Sequence, residues 1–125
     1  MILGIGIDVC PVERMRDVLA RHGDLFKKRV FTDRELERAG EGRVSTERLA
    51  ARFAAKEAAI KALRAPAGLV WKDLEVVSAT DGAPALALHG RAAEAASAMG
   101  VVRQTLSLSH AGGIAVAVVV LEGGA

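Results

Sequence analysis

Hydrophobic residues along this chain recur with two periods, and the switches between the periods mark its elements. Met1 to Asp8 is a nearly unbroken apolar run of strand length that ends on an acid, which reads as a buried strand. Pro11 then opens a helix, expected to reach about His22, with the proline at a first-turn position. Asp8 is thereby expected at a strand-to-helix corner. Thr32-Asp33-Arg34-Glu35 has capping-box spacing and starts a short helix ended by Gly40 and Gly42. A longer helix, dense in Ala and Leu, runs from about Thr46 to Arg64 and stops at Pro66 and Gly68. Leu74 to Ala79 and Ala85 to Leu88 form a hairpin through Asp81-Gly82. Arg91 to Met99 is a helix closed by Gly100, and strands Val102 to Ser109 and Ile114 to Leu121 flank a tight turn, His110-Ala111-Gly112-Gly113. This order predicts an α+β fold, one domain over residues 1–125, with a mainly antiparallel sheet packed on the long Ala-rich helix.

The long helix is the most informative segment. At ~100° per residue, Ala51, Ala54, Ala55, Ala58, Ala59 and Ala62 form one arc that can approach a sheet closely. The other half mixes Leu49, Phe53, Ile60 and Leu63 with two charged flanks, Arg52 and Lys56 on one side and Glu57, Lys61 and Arg64 on the other. A plain surface helix sets its charges opposite its apolar stripe. Here they bracket it, which places them in a cleft or at an interface.

Composition removes several classes of function. The longest apolar stretch, Ile114 to Leu121, is shorter than the ~20 residues of a membrane helix, and the N-terminus lacks the charged region and cleavage site of a signal peptide. The expectation is a cytoplasmic protein with no membrane partner. Cys10 is the only cysteine, so no intrachain disulfide forms. The net charge of +2 hides an asymmetry: residues 1–64 carry 14 of the 17 Lys and Arg and 10 of the 15 acids. A basic half of this kind faces an anionic partner. Three Phe, one Trp and no Tyr supply little for the stacking platforms of single-stranded nucleic-acid binders, so nucleic acid is not the expected partner.

Taken singly, the chemistry-bearing residues have ordinary readings. Glu57 and Lys61 make an i,i+4 ion pair in the favourable order, a matter of ~0.2–0.5 kcal/mol. Asp8 is a turn residue ahead of a helix, and His110 a turn histidine. His22 and His89 offer it no ligand spacing, so no zinc site is expected. Gly4-x-Gly6 has no third glycine at dinucleotide-binding spacing, and no phosphate loop of the GxxxxGK[ST] type exists.

Read together, the segments say more. Gly4-Ile5-Gly6-Ile7-Asp8, then Phe31-Thr32-x-x-Glu35-Leu36, then Arg52-Phe53-Ala54-Ala55-Lys56-Glu57-Ala58 with Lys61, then Ser107-Leu108-Ser109-His110 resemble, in order and spacing, the holo-acyl-carrier-protein synthases of the 4′-phosphopantetheinyl transferase superfamily, the short trimeric type. The resemblance runs from residue 1 to about residue 121. It implies transfer of 4′-phosphopantetheine from coenzyme A to a serine of an apo acyl carrier protein, with release of 3′,5′-ADP. Asp8 and Glu57 are then the protein ligands of a Mg²⁺ ion that also binds the pyrophosphate; Mg²⁺ takes one or two carboxylates and completes its octahedron with phosphates and water. Lys61 neutralises the leaving group, and Glu57, directly or through a bound water, accepts the serine proton. Arg52, Lys61, Gly82, Pro84, Ser109 and His110 fall on coenzyme A positions, His110 near the 3′-phosphate. Arg14, Val18 and Arg21 share one helix face, where the family receives the acidic helix of its carrier. The resemblance further implies a homotrimer with active sites between subunits.

Three positions depart from the pattern. Ala83 stands where a Lys is frequent, and Ala111 and Ile114 where a polar residue and an aromatic are frequent. They bear on coenzyme A contacts and leave the carboxylate pair complete. The competing reading is a non-catalytic basic module for an acidic protein or phosphorylated ligand, and a degenerate structural relative is a third. The convergent acids separate them, because carboxylates inside a basic cleft weaken anion binding unless a cation intervenes.

Overall fold

A computed structural model describes residues 1–124, so Ala125, the last residue of the expected domain, lies outside the described residues. Strand β1 (Ile2–Pro11) leads into helix α1 (Val12–Val30), followed by α2 (Asp33–Ala39) and α3 (Arg43–Ala62). A single 3₁₀ turn (Trp71–Asp73) precedes the hairpin β2 (Leu74–Ser78) and β3 (Pro84–Leu88); α4 (Gly90–Met99), β4 (Val101–Ala111) and β5 (Ile114–Gly123) complete the chain.

Several boundaries differ from expectation; α3, for one, begins at Arg43, three residues before Thr46. Strand β1 continues three residues past Asp8, because Val9, Cys10 and Pro11 pair with Val116, Ala115 and Ile114; Asp8 is a strand residue and not a corner. Pro11 caps α1 from outside, and Val12 N–H bonds back to Gly113 O at 2.8 Å. Helix α1 breaks at Gly23, near the expected end at His22, but resumes and runs to Val30. The break has φ 45° and ψ −122°, a conformation that glycine alone adopts without strain. At its far end α3 stops at Ala62, before Pro66, where Arg64 and Ala65 take left-handed φ values of 64° and 49°.

The sheet is split. β1-β5-β4 form one antiparallel sheet and β2-β3 a separate antiparallel hairpin, tied across the gap by Gln104 Nε2 donating to Leu86 O at 3.1 Å. The Ala arc of α3 lies on the three-stranded sheet: Ala54, Ala55, Ala58, Ala59 and Ala62 are buried, as are Ala115, Ala117, Val119 and Leu121 of β5. Small residues on both sides bring the helix unusually close, which gives Gly4 and Gly6 their use. The other half of α3 is covered within the chain: Leu49 and Leu63 are buried, and Phe53 stacks on Trp71 at 5.2 Å and packs on Phe26 at 6.0 Å.

One glutamate organises the layer behind. Thr32 Oγ1 accepts from Glu35 N at 3.2 Å, and Glu35 Oε1 accepts from Thr32 N at 2.9 Å, completing the capping box. The same carboxylate accepts from Val76 N on the free edge of β2 at 2.9 Å and pairs with Lys56 Nζ at 2.7 Å. Lys56 is 0% exposed and also donates to Leu74 O at 2.6 Å and Trp71 O at 3.1 Å. The ion pair therefore does for the β2 edge what another strand would do.

Candidate active site

Asp8 is carried on β1, and Glu57 and Lys61 on α3 where it crosses β1. Lys61 does not pair with Glu57 one turn away. Its ammonium donates to Asp8 Oδ1 at 3.0 Å and to Ile7 O at 3.0 Å, since the strand passing beneath offers both a carboxylate and a carbonyl. Glu57 is left without that partner and shares a cavity of about 350 Å³ with Asp8, Val9, Cys10, Arg14, Met15, Val18, Phe26 and Phe53. Burial first, and then the charge of Asp8, push the Glu57 carboxyl above its ordinary range, while Lys61 pulls the other way. Burial also raises the Cys10 thiol, Arg14 opposing and Asp8 and Glu57 reinforcing it. Two carboxylates that share one pocket, the charge of Asp8 disfavouring that of Glu57, fit a hard divalent cation.

Arg14 and Val18 open onto this cavity from α1. Arg21 is exposed one turn further on and does not line it. The basic face and the carboxylates are thus contiguous through Arg14.

Arg52, Ser109 and His110 come together elsewhere. With Val44, Glu47, Arg48, Ala51 and Leu108 they line a second cavity of about 430 Å³ on the β4 side of α3. Being five residues apart, Arg52 and Glu57 point ~140° apart around the helix. Arg52 Nε is buried with no hydrogen-bond partner among the described residues. Burial lowers the pKa of this guanidinium; Glu35 opposes the shift, and the adjoining Arg38 and Arg48 add to it. Arg52 Nη1 donates to Arg48 O at 3.2 Å, and among the described residues no carboxylate pairs with the guanidinium, which suits an anionic ligand. His110 is the tenth residue of β4, paired with Ala115, and not part of a turn; the turn itself is Gly112-Gly113. Gly82 lies on the β2–β3 connection and Pro84 opens β3, paired with Ser78; they line neither cavity. Ala83 N donates to Asp81 Oδ1 there at 2.9 Å.

Residues 4–119 match the family model described as the 4′-phosphopantetheinyl transferase superfamily. The chain belongs to that superfamily. It is similar to the holo-[acyl-carrier-protein] synthase of Salinispora arenicola, 54% identical over 123 residues with 98% of this chain and 99% of that one covered. The synthase of the same name from Anaeromyxobacter dehalogenans (strain 2CP-C) is 51% identical over 126 residues, 98% of each covered. Among solved superfamily structures, the Helicobacter pylori holo-[acyl-carrier-protein] synthase in complex with coenzyme A superposes with a TM-score of 0.82 at 28% identity, covering 94% of this chain and 99% of that one. The α+β fold is that of these superfamily enzymes.

Sequence reasoning named Lys56 only as a flank charge and Phe53 only on the mixed face of the long helix, and it had not found the cavity wall of Met15 and Phe26, or Arg48. Arg48 had a signal, since it stands one helical turn before Arg52. Phe26 had none, because it reaches the cavity only after the break at Gly23.

Proposed function

We propose that this chain is a holo-[acyl-carrier-protein] synthase, which transfers 4′-phosphopantetheine from coenzyme A to a serine of an apo acyl carrier protein. The observation that carries the reading is the meeting of Asp8, Glu57 and Lys61 beside one cavity in a chain of this superfamily. Asp8 and Glu57 would hold Mg²⁺, which when bound would neutralise the pyrophosphate of coenzyme A. The serine hydroxyl attacks the phosphorus attached to pantetheine, and the bond to the 3′,5′-ADP oxygen breaks. Glu57, whose carboxyl holds a proton more readily than an ordinary glutamate, accepts the serine proton. Lys61, its side chain 54% exposed beside Asp8, meets the charge that develops on the departing oxygen. Arg52, Ser109 and His110 hold the nucleotide, and Gly82 and Pro84 are further coenzyme A contacts. Incubating an apo carrier protein with this protein, coenzyme A and Mg²⁺ tests the reaction: mass spectrometry is expected to find the carrier heavier by one phosphopantetheine, and an unchanged mass would refute it. A basic binding module is the weaker reading, since such a module has no use for Glu57 beside Asp8.

Carrier docking belongs to Arg14, Val18 and Arg21. Reversing both arginines to Glu is expected to raise KM for the carrier at least tenfold and KM for coenzyme A less than twofold. Added salt should act on the wild type in the same direction, because exposed charges are screened over ~8–10 Å. Equal movement of both constants would remove α1 from docking.

The working form is a homotrimer. Two features support it. Ile5, Ile7 and Val9 are 65%, 58% and 53% exposed, and they stand in register with Val120, Val118 and Val116, giving an apolar sheet face turned away from α3 that asks for cover. The carboxylate cavity and the cavity of Arg52 and His110 also lie on opposite flanks of one helix, so a second copy is the simple way to bring both to one ligand. Glu57→Ala and His110→Ala chains, unfolded together and reassembled, should form trimers more active than either parent. A monomer by light scattering at micromolar concentration would overturn the assembly.

A further inference from the structure

Gly4 and Gly6 do not form a nucleotide loop, and neither has a left-handed backbone that would demand glycine. Space demands it. A Cβ built on Gly6 would lie 1.8 Å from Ala58 O, 2.8 Å from Ala58 C and 2.9 Å from Ala62 N, all of them main-chain atoms of α3. A Cβ on Gly4 would lie 2.3 Å from Ala62 O. Real Cβ atoms essentially never approach within 3.0 Å, so an alanine at position 6 must drive strand and helix apart by more than an ångström. No flexible side chain can yield in its place.

The consequence falls on the carboxylates. Asp8 is two residues from Gly6, hence on the same face of β1 and ~7 Å further along it. Glu57 is the residue before Ala58. Both carboxylates are therefore carried on the two sides of the contact that Gly6 permits, and both reach the one cavity. Lys61 Nζ spans the same gap, bonding Ile7 O and Asp8 Oδ1 at 3.0 Å each. We infer that Gly6 is a positioning residue for the Asp8–Glu57 pair: its missing side chain seats α3 on β1 main chain to main chain, and that seating sets the separation of the two carboxylates. Mg²⁺ demands near-ideal octahedral geometry at ~2.0–2.1 Å, and site groups work when held within ~0.5 Å. A shift of more than an ångström exceeds that tolerance. Gly4 serves the far end of the contact, beside Ala62, and has less hold on the pair.

This inference rests on the reading of Asp8 and Glu57 as cation ligands, and the experiment separates the two. Mn²⁺ serves as the probe, its free concentration followed by electron paramagnetic resonance in the presence of coenzyme A and without carrier protein, so that no turnover occurs. Circular dichroism first establishes that each variant is folded. Gly6→Ala is expected to bind Mn²⁺ at least tenfold more weakly than the wild type, and Gly4→Ala less than threefold more weakly. Where Gly6→Ala does not fold, Ala58→Val wedges the same contact from the buried face of α3, with at least a threefold loss expected. Wild-type Mn²⁺ affinity, within twofold, in a folded Gly6→Ala or Ala58→Val protein would overturn the inference. Equal losses in Gly4→Ala and Gly6→Ala would also overturn it, since they would mean a general loosening and not positioning. Asp8→Asn supplies the remaining arm: if it too binds Mn²⁺ like the wild type, the ligand reading has failed, whereas its loss beside an unaffected Gly6→Ala would sink the role of Gly6 alone.

Discussion

Glu57→Gln is expected to lose transfer by at least ~10²–10³-fold, since a cation site supplies several kcal/mol of transition-state stabilisation and each 1.36 kcal/mol is tenfold in rate. At neutral pH the same variant should melt at or above the wild type. The two expectations have one origin. Burial and the Asp8 charge raise the Glu57 carboxyl above the value it has in the unfolded chain, so the folded protein binds the proton more tightly than the unfolded one. Ionised Glu57 therefore weighs against folding at any pH above its folded pKa. That penalty shrinks as the pH falls through the raised pKa and is gone below the unfolded value, where both states are protonated. Gln carries no such penalty, so the difference in Tm should be largest near neutrality and close on acidification. Asp8→Ala should lose transfer to the same degree, but it also strips Lys61 of its ion pair. Metal-dependent activity within tenfold of wild type in either variant would remove that residue from the site, and a Glu57→Gln protein that melts lower at neutral pH would contradict the electrostatic account.

The largest loss of stability is expected at Lys56, a residue that touches no proposed substrate. Its ammonium is fully buried and is satisfied by Glu35 and by the carbonyls of Leu74 and Trp71. Burial lowers its pKa, with the charge and hydrogen bond of Glu35 and the charge of Glu75 opposing the shift. Lys56→Met fills similar volume but leaves the buried Glu35 without its cationic partner, and breaking a buried pair in this way costs about 3–5 kcal/mol. Urea unfolding at matched protein concentration measures it. Adding Glu35→Gln to Lys56→Met should recover part of the loss, because the glutamine retains an acceptor for the helix cap or the β2 edge and no charge is left unpaired. A loss below ~1 kcal/mol in the single variant, or a double variant less stable than the single, would show that the pair does not hold this layer.

Glu75 extends the same network. Burial pushes its carboxyl up, but the hydrogen bonds from Thr32 and His89 and the neighbouring positive charges outweigh it, so its pKa lies below the ordinary value. The layer behind the active site thus holds a set of paired polar groups, whereas the layer between α3 and the sheet is built mostly of alanine and glycine with Val119 and Leu121. The first specifies partners by charge and the second sets distances by size.

Sequence by itself determined what depends on a few neighbouring residues. The capping box at Thr32 and Glu35, the Ala arc of α3, the hairpin at Asp81-Gly82 and the stop at Gly100 were legible because caps, turns and helical faces are settled within about one turn of chain. The identities of Asp8, Glu57 and Lys61 were legible as an ordered set of motifs. Tertiary structure alone decided how they combine. Lys61 bonds Asp8, 53 positions away, and not Glu57 at i+4, because the strand beneath offers a carboxylate and a carbonyl together. Glu35 reaches Val76, 41 positions on, and Lys56, read as a flank charge, is buried by that meeting. The sheet divides in two between β3 and β4, where the side chain of Gln104 bonds Leu86 O and no strand ladder forms. Gly4 and Gly6, uninformative as a motif, are required by a helix that no local pattern places above them. Local sequence fixes which groups are present and which way each faces along its own element; distances between elements come from the packing of α3 on β1, and the chemistry of the site lies in those distances.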